Sequence, residues 1–176
     1  MNYLKEAALE IKKVRTLTSA AVATAVTVVL DFFRLVLTPT MEISFSFLGI
    51  ALAGMMYGPI VGGIVGGISD YIEYLIRPSG AFFFGFTFNK IVSGFIYGLF
   101  LYKKQPTIKR TAMAVLVETV IVTLILTPLW LNIMYGSSLF VIERLVKAVI
   151  LFPINTFLLY KISKVASDII LKRGTV

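Results

Sequence analysis

Six apolar stretches, at about residues 17–37, 43–57, 60–76, 82–102, 109–131 and 140–163, follow one another with only short polar breaks between them. A helix needs about 20 apolar residues to cross the hydrocarbon layer, and in lipid every backbone N–H must find its partner within the segment. The pattern therefore predicts an all-α integral membrane protein of six transmembrane helices, one membrane domain over residues 1–176 with no soluble module appended. The second and third stretches are short, so a re-entrant hairpin remains an alternative to two full spans. With 58% hydrophobic and 15% charged residues, the chain has too little charge for a soluble surface.

The excess of positive charge, +8, follows the loops. Lys5, Lys12, Lys13, Arg15, Lys103, Lys104, Lys109, Arg110, Lys161, Lys164, Lys172 and Arg173 all fall on one side of a six-span topology. That asymmetry places both termini in the cytoplasm and speaks for topology rather than nucleic-acid binding. Residues 1–15 mix basic and acidic side chains and precede an apolar run that ends in Asp31-Phe-Phe-Arg34, which offers no cleavage site. They are expected to form a retained amphipathic segment on the cytoplasmic membrane surface. The chain has no cysteine and no histidine, so disulfides, thiol nucleophiles, zinc and imidazole chemistry are excluded together. No metal site and no catalytic residue is expected, and no phosphate-binding glycine loop appears, so no cofactor is expected on this chain.

Small residues recur at four-residue spacing. Ser19, Ala21, Ala23 and Ala25 in the first stretch suit either packing within the bundle or docking of a separate membrane subunit, because close helix approach in lipid depends on small side chains. Gly62, Gly63, Gly66 and Gly67 form one glycine-rich face of the third stretch, where packing inside the bundle is the simpler reading. Pro59 fits the first turn of that helix.

Charges within apolar spans cost at least ~2.5 kcal/mol each at the bilayer centre by insertion scales unless paired or hydrated. Asp31, Arg34, Asp70, Glu73, Arg77, Glu143, Arg144 and Lys147 gather at the outer ends of their spans, together with Phe82, Phe83, Phe84, Phe86, Phe88, Tyr71, Tyr74, Trp130 and Tyr135. Two readings stand: an interfacial aromatic belt with snorkelling charges, or the mouth of a cavity for a planar, polar, anionic ligand. Asp31 with Arg34 and Glu143 with Lys147 have pairing spacing. Lys90 and Glu118 lie deeper, each roughly eight residues or ~12 Å into its span, and either pair with each other or serve separate roles.

The run Leu48-Gly-Ile-Ala-Leu-Ala-Gly-Met-Met-Tyr-Gly-Pro59, followed by Pro78-Ser-Gly-Ala-Phe-Phe-Phe-Gly-Phe-Thr87, carries a family resemblance. With its flanks it covers about a third of the chain. It resembles the substrate-binding S components of energy-coupling factor (ECF) vitamin transporters, most closely the folate-specific ones. The resemblance implies a multi-pass protein of the bacterial plasma membrane that binds a vitamin at an outward-facing cavity. It further implies a membrane coupling subunit and two partner ATPases, which would use ATP and Mg2+ in place of this chain. The Ala-x-x-x-Ala pattern that meets the coupling subunit in that family is matched by Ala21 and Ala25.

For folate, Arg34 is assigned to the glutamate tail with Lys90 and Lys147 in reserve, and Asn89 or Asp70 to the pterin edge. Phe82, Phe84 and Trp130 are assigned as stacking or wall residues. Within the same class, riboflavin, pantothenate or a queuosine precursor are the alternative ligands. From other classes, an integral membrane enzyme would need a reactive dyad at one depth, and a self-sufficient channel or carrier is opposed by the absence of visible repeats.

Overall fold

The computed structural model describes residues 9–38, 41–78, 81–136 and 142–172. Helices dominate them: α1 (Val14–Phe32), α2 (Ser46–Tyr57), α3 (Pro59–Ile76), α4 (Phe84–Leu101), a continuous rod built from α5 (Ile108–Glu118), a π-helical stretch (Thr119–Leu126) and α6 (Thr127–Tyr135), and α7 (Ile142–Lys172). Among the described residues, four helices are long and apolar enough to cross a membrane: Val14–Phe32, Phe84–Leu101, Ile108–Tyr135 and Arg144–Ile169. Helix α2 is apolar but only 12 residues long, and α3 carries Asp70 and Glu73 within its 18 residues.

The helical fold class expected from the sequence stands, with one small addition among the described residues. The first helix stops at Phe32 instead of running to residue 37, and β1 (Leu35–Thr38) pairs antiparallel with β2 (Met41–Ile43), Leu35 opposite Ile43 and Val36 opposite Glu42. Pro39 disfavours the helical conformation at Thr38 and has no N–H to continue a helix, which bars the helix from running on through the end of the apolar stretch but does not itself set the stop at Phe32. The hairpin also takes the start of the stretch expected to begin at residue 43. At the other end of the chain α7 runs nine residues past the expected stop at 163, to Lys172. The part of the N-terminal segment that is described begins at Leu9 and makes a turn, with Lys12 and Lys13 N–H groups donating to Leu9 and Glu10 carbonyls before α1 starts.

Helices α2 and α3 meet at Gly58, whose φ of 96° is open to glycine and strained for other residues. Pro59 then opens α3, where its missing N–H costs nothing. The α3 glycines pack inside the bundle. A methyl group on Gly62 would lie 2.6 Å from the Gly94 carbonyl oxygen and 2.8 Å from Gly54 Cα, so α2, α3 and α4 touch backbone to backbone. Beside that seam, Leu48, Ala51 and Met55 of α2 pack with Tyr97 and Leu101 of α4, Ala114 and Val115 of α5 and Leu159 of α7.

Thr107 caps α5 by accepting the Arg110 N–H at 3.3 Å. The π stretch ends just before Pro128, whose ring in a regular α-helix would strike the carbonyl one turn back. Wider turns relieve that conflict, and the Thr127 hydroxyl donates to the Val122 carbonyl at 2.8 Å.

Candidate functional site

At the end of the bundle where α1, α3 and α6 finish and α4 and α7 begin lies a cavity of about 540 Å3. Three acidic side chains (Asp31, Asp70, Glu73) and five basic ones (Arg34, Arg77, Lys90, Arg144, Lys147) line it, leaving two positive charges in excess. Phe82, Phe83, Phe86, Tyr74 and Tyr135 supply its apolar wall.

Each chamber carboxylate has a cationic neighbour, while Glu73 Oε1 is buried with no hydrogen-bond partner among the described residues. Asp31, in the last turn of α1, accepts the Ser44 hydroxyl at 2.8 Å and stands 3.5 Å from the Arg34 guanidinium. One turn apart on α3, Asp70 and Glu73 share Lys90 of α4: the ammonium lies 3.2 Å from Asp70 and also bonds Glu73. Asp70 additionally accepts from Thr87 at 2.7 Å. One cation between two carboxylates makes it affordable to keep all three groups largely out of water. Arg144 also lines the chamber, and its Nη1, buried from solvent, has no hydrogen-bond partner among the described residues. A guanidinium there can bind an anion bidentately.

The floor continues past this chamber. Ser44, Thr123 and Lys147 also line a smaller compartment of about 190 Å3, together with Phe47, Tyr97, Glu118, Phe152 and Asn155. Glu118 accepts the Ser93 hydroxyl at 3.0 Å.

A family model for the substrate-specific component of ECF transporters matches residues 15–166. The chain belongs to that family. As an ECF substrate-specific component it is a multi-pass membrane protein of a transport system. It is 40% identical over 151 residues to the folate transporter FolT of Clostridium novyi (strain NT), covering 85% of this chain and 88% of that protein. Against the folate transporter FolT of Leuconostoc mesenteroides subsp. mesenteroides it is 33% identical over 131 residues, covering 70% and 71%. The crystal structure of FolT bound with folic acid superimposes with a TM-score of 0.79 at 39% identity, covering 86% of this chain and 93% of that one.

Within this S component the residues singled out from the sequence fall into three groups. Arg34, Asp70, Phe82, Lys90 and Lys147 come together on the cavity wall. Asn89 and Trp130 stand behind it: Trp130 Nε1 donates to Asn89 Oδ1 at 2.9 Å, and Asn89 Nδ2 donates to Thr127 at 3.1 Å. That leaves the Asn89 amide occupied by protein, while the Trp130 ring packs at 5.8 Å from the lining ring of Phe83. Phe84 is 66% exposed and lines no part of the cavity. The suggested pair of Lys90 with Glu118 does not form, since Lys90 reaches across to α3 and Glu118 is held by Ser93. The spacing of Asp31 with Arg34 does give a pair, whereas the Glu143 side chain lies outside the described residues. Ala21 and Ala25 are exposed on α1. Arg144, Phe83 and Phe86 were legible only as members of the charge and aromatic cluster at this end, with no signal that set them apart from their neighbours.

Proposed function

We propose that this chain is a folate-binding S component of the bacterial plasma membrane, with six spans in one membrane domain, both termini cytoplasmic and the cavity mouth outward. The observation that carries the ligand assignment is the chamber's composition. Five cations against three carboxylates leave two charges for a ligand that brings two carboxylates, and aromatic side chains beside them suit a flat conjugated ligand. The likeness to a protein crystallised with folic acid, at 39% identity over most of both chains, supports the same reading.

Arg34, Arg144 and Lys147 then hold the glutamate carboxylates, with guanidinium groups able to bind bidentately. Phe82, Phe83 and Phe86 form the wall for the rings, and Asn89 acts by fixing Trp130 behind them. Lys90 keeps Asp70 and Glu73 in place. Delivery inward requires the ECF coupling subunit and two ATPases, which supply ATP hydrolysis. Small Ala21 and Ala25, exposed among Val22, Val26 and Val29, give α1 a face on which a coupling helix can approach closely.

Native mass spectrometry of the detergent-purified chain, followed by release and identification of what it carries, tests the assignment. A folate is the expected ligand. Riboflavin, pantothenate or another vitamin in its place would keep the family and discard folate.

A further inference from the structure

Of the four acidic side chains that face the chamber or its deep extension, three have a cation. Asp31 has Arg34, while Asp70 and Glu73 share Lys90. Glu118 is the exception: among the described residues it forms no salt bridge, and one of its oxygens accepts only the neutral Ser93 hydroxyl. An uncompensated carboxylate deep in a membrane bundle is expensive and marks a functional position.

Its place along the rod adds direction. Tyr135, Leu131, Thr127 and Thr123 line the chamber, and Thr123 and Thr119 line the extension, all at four-residue steps on one helical rod. In an α-helix such a stripe drifts around the axis. The wider π turns over Thr119–Leu126 oppose that drift and keep the stripe facing both the chamber and the smaller compartment, which share Ser44, Thr123 and Lys147. From Tyr135 to Glu118 this is 17 residues, roughly 25 Å at α-helical rise. All the arginines of the chamber lie at its mouth end, so a long ligand with an anionic tail enters with its other end pointing at Glu118.

We infer that Glu118 is the specificity residue in the deep compartment, accepting the paired N–H donors of an amino-substituted heterocycle while the ligand's carboxylate tail stays by Arg34 and Arg144 in the chamber, with Lys147 lining both. For folate, on whose assignment this rests, the donors are the ring N3–H and the 2-amino group of the pterin. A carboxylate meets that edge with two parallel hydrogen bonds. Asp70 is bonded by Lys90 and Thr87, and Asn89 by Trp130 and Thr127, so neither offers that edge a vacant pair of acceptors.

The test is equilibrium binding of folic acid, 2-desamino-folic acid and pteroic acid to the full chain in detergent, wild type and Glu118→Gln. In the wild type the desamino compound binds roughly 10–100-fold more weakly than folic acid, as expected for loss of a hydrogen bond to a charged group. Glu118→Gln weakens folic acid by a similar factor and the desamino compound hardly at all, whereas pteroic acid, which lacks the tail, keeps the full penalty. Equal penalties for folic acid and its desamino analogue overturn the inference, as does unchanged folic acid binding in the variant. Should Glu118→Gln fail to fold, the wild type decides alone: equal affinity for the two folates overturns the inference. A wild type that binds none of the three overturns the folate reading itself.

Discussion

Replacing Gly62 with alanine should loosen the whole ligand end of the protein, whereas the same change at the next residue should not. An added Cβ at position 62 would meet the Gly94 carbonyl oxygen at 2.6 Å and Gly54 Cα at 2.8 Å, both backbone atoms that no rotamer can move aside. Ordinary contact begins near 3.4 Å, so the seam must open by about 0.8 Å. A gap of that size forfeits roughly a quarter to a half of the dispersion energy of the atoms along it, and overpacking of this kind costs about 1–3 kcal/mol. Alanine returns about 1 kcal/mol of helix propensity. Gly62→Ala is therefore expected to destabilise by up to about 2 kcal/mol. At Gly63 the added methyl meets Ile91 at 3.3 and 3.4 Å, so Gly63→Ala keeps the propensity gain with little strain. Because α3 carries Asp70 and Glu73 and α4 carries Lys90, opening this seam also pulls the shared ion pair apart and weakens ligand binding. Thermal unfolding of both variants in one detergent, with ligand binding measured in parallel, is the assay. Equal melting temperatures for the two variants, or a more stable Gly62→Ala, would refute the backbone-contact account.

Lys90→Met strands two carboxylates, one of them with a side chain only 8% exposed, and should cost about 2–4 kcal/mol, less than a fully buried pair because Lys90 itself is 25% exposed. Adding Glu73→Met should recover part of the loss, which a double-mutant unfolding cycle reads directly. Arg144→Met should leave ligand-free stability nearly unchanged, since its Nη1 has no partner to lose among the described residues, yet weaken binding of a dianionic ligand by roughly 10-fold. Binding that stays unchanged would remove Arg144 from the site. The hydrogen bond from Lys13 holds the Glu10 carboxyl below its usual range, so the turn before α1 keeps this support at neutral pH. The support is lost as pH falls through the lowered folded value; protection of the Lys12 and Lys13 amides should decline with it, and Glu10→Gln should abolish that dependence.

Apolar length and the break at Tyr57-Gly-Pro59 were enough to read six helical rods, because a membrane solvent leaves the backbone few options. The hairpin was harder to see: Leu35–Thr38 is as apolar as the helix before it, and only Pro39 argues against continuation. Continuation of the rod past 131 to Tyr135 and of α7 to Lys172 depends on packing and helix propensity outside the apolar core, which a hydropathy pattern does not register. At the site, the gathering of charges at one end was visible from spacing, but partner choice was not. Lys90 and Glu118 matched in depth, yet the distance that matters is lateral, and the glycine seam brings Lys90 against α3 instead. Asn89 was expected at the pterin edge; what spacing could not show is that its amide hydrogen-bonds Thr127 and Trp130, the latter 41 residues away.

Trp130 is the single tryptophan of the chain and packs directly behind the cavity wall at Phe83, so its emission reports on the site alone. Titrating the purified chain with folic acid while following that emission, corrected for ligand absorbance, tests the central claim most directly. The account predicts a saturable change that riboflavin and pantothenate neither reproduce nor compete away, and that weakens in Arg144→Met. No saturable change with folic acid, or saturation by one of the other vitamins instead, would contradict it.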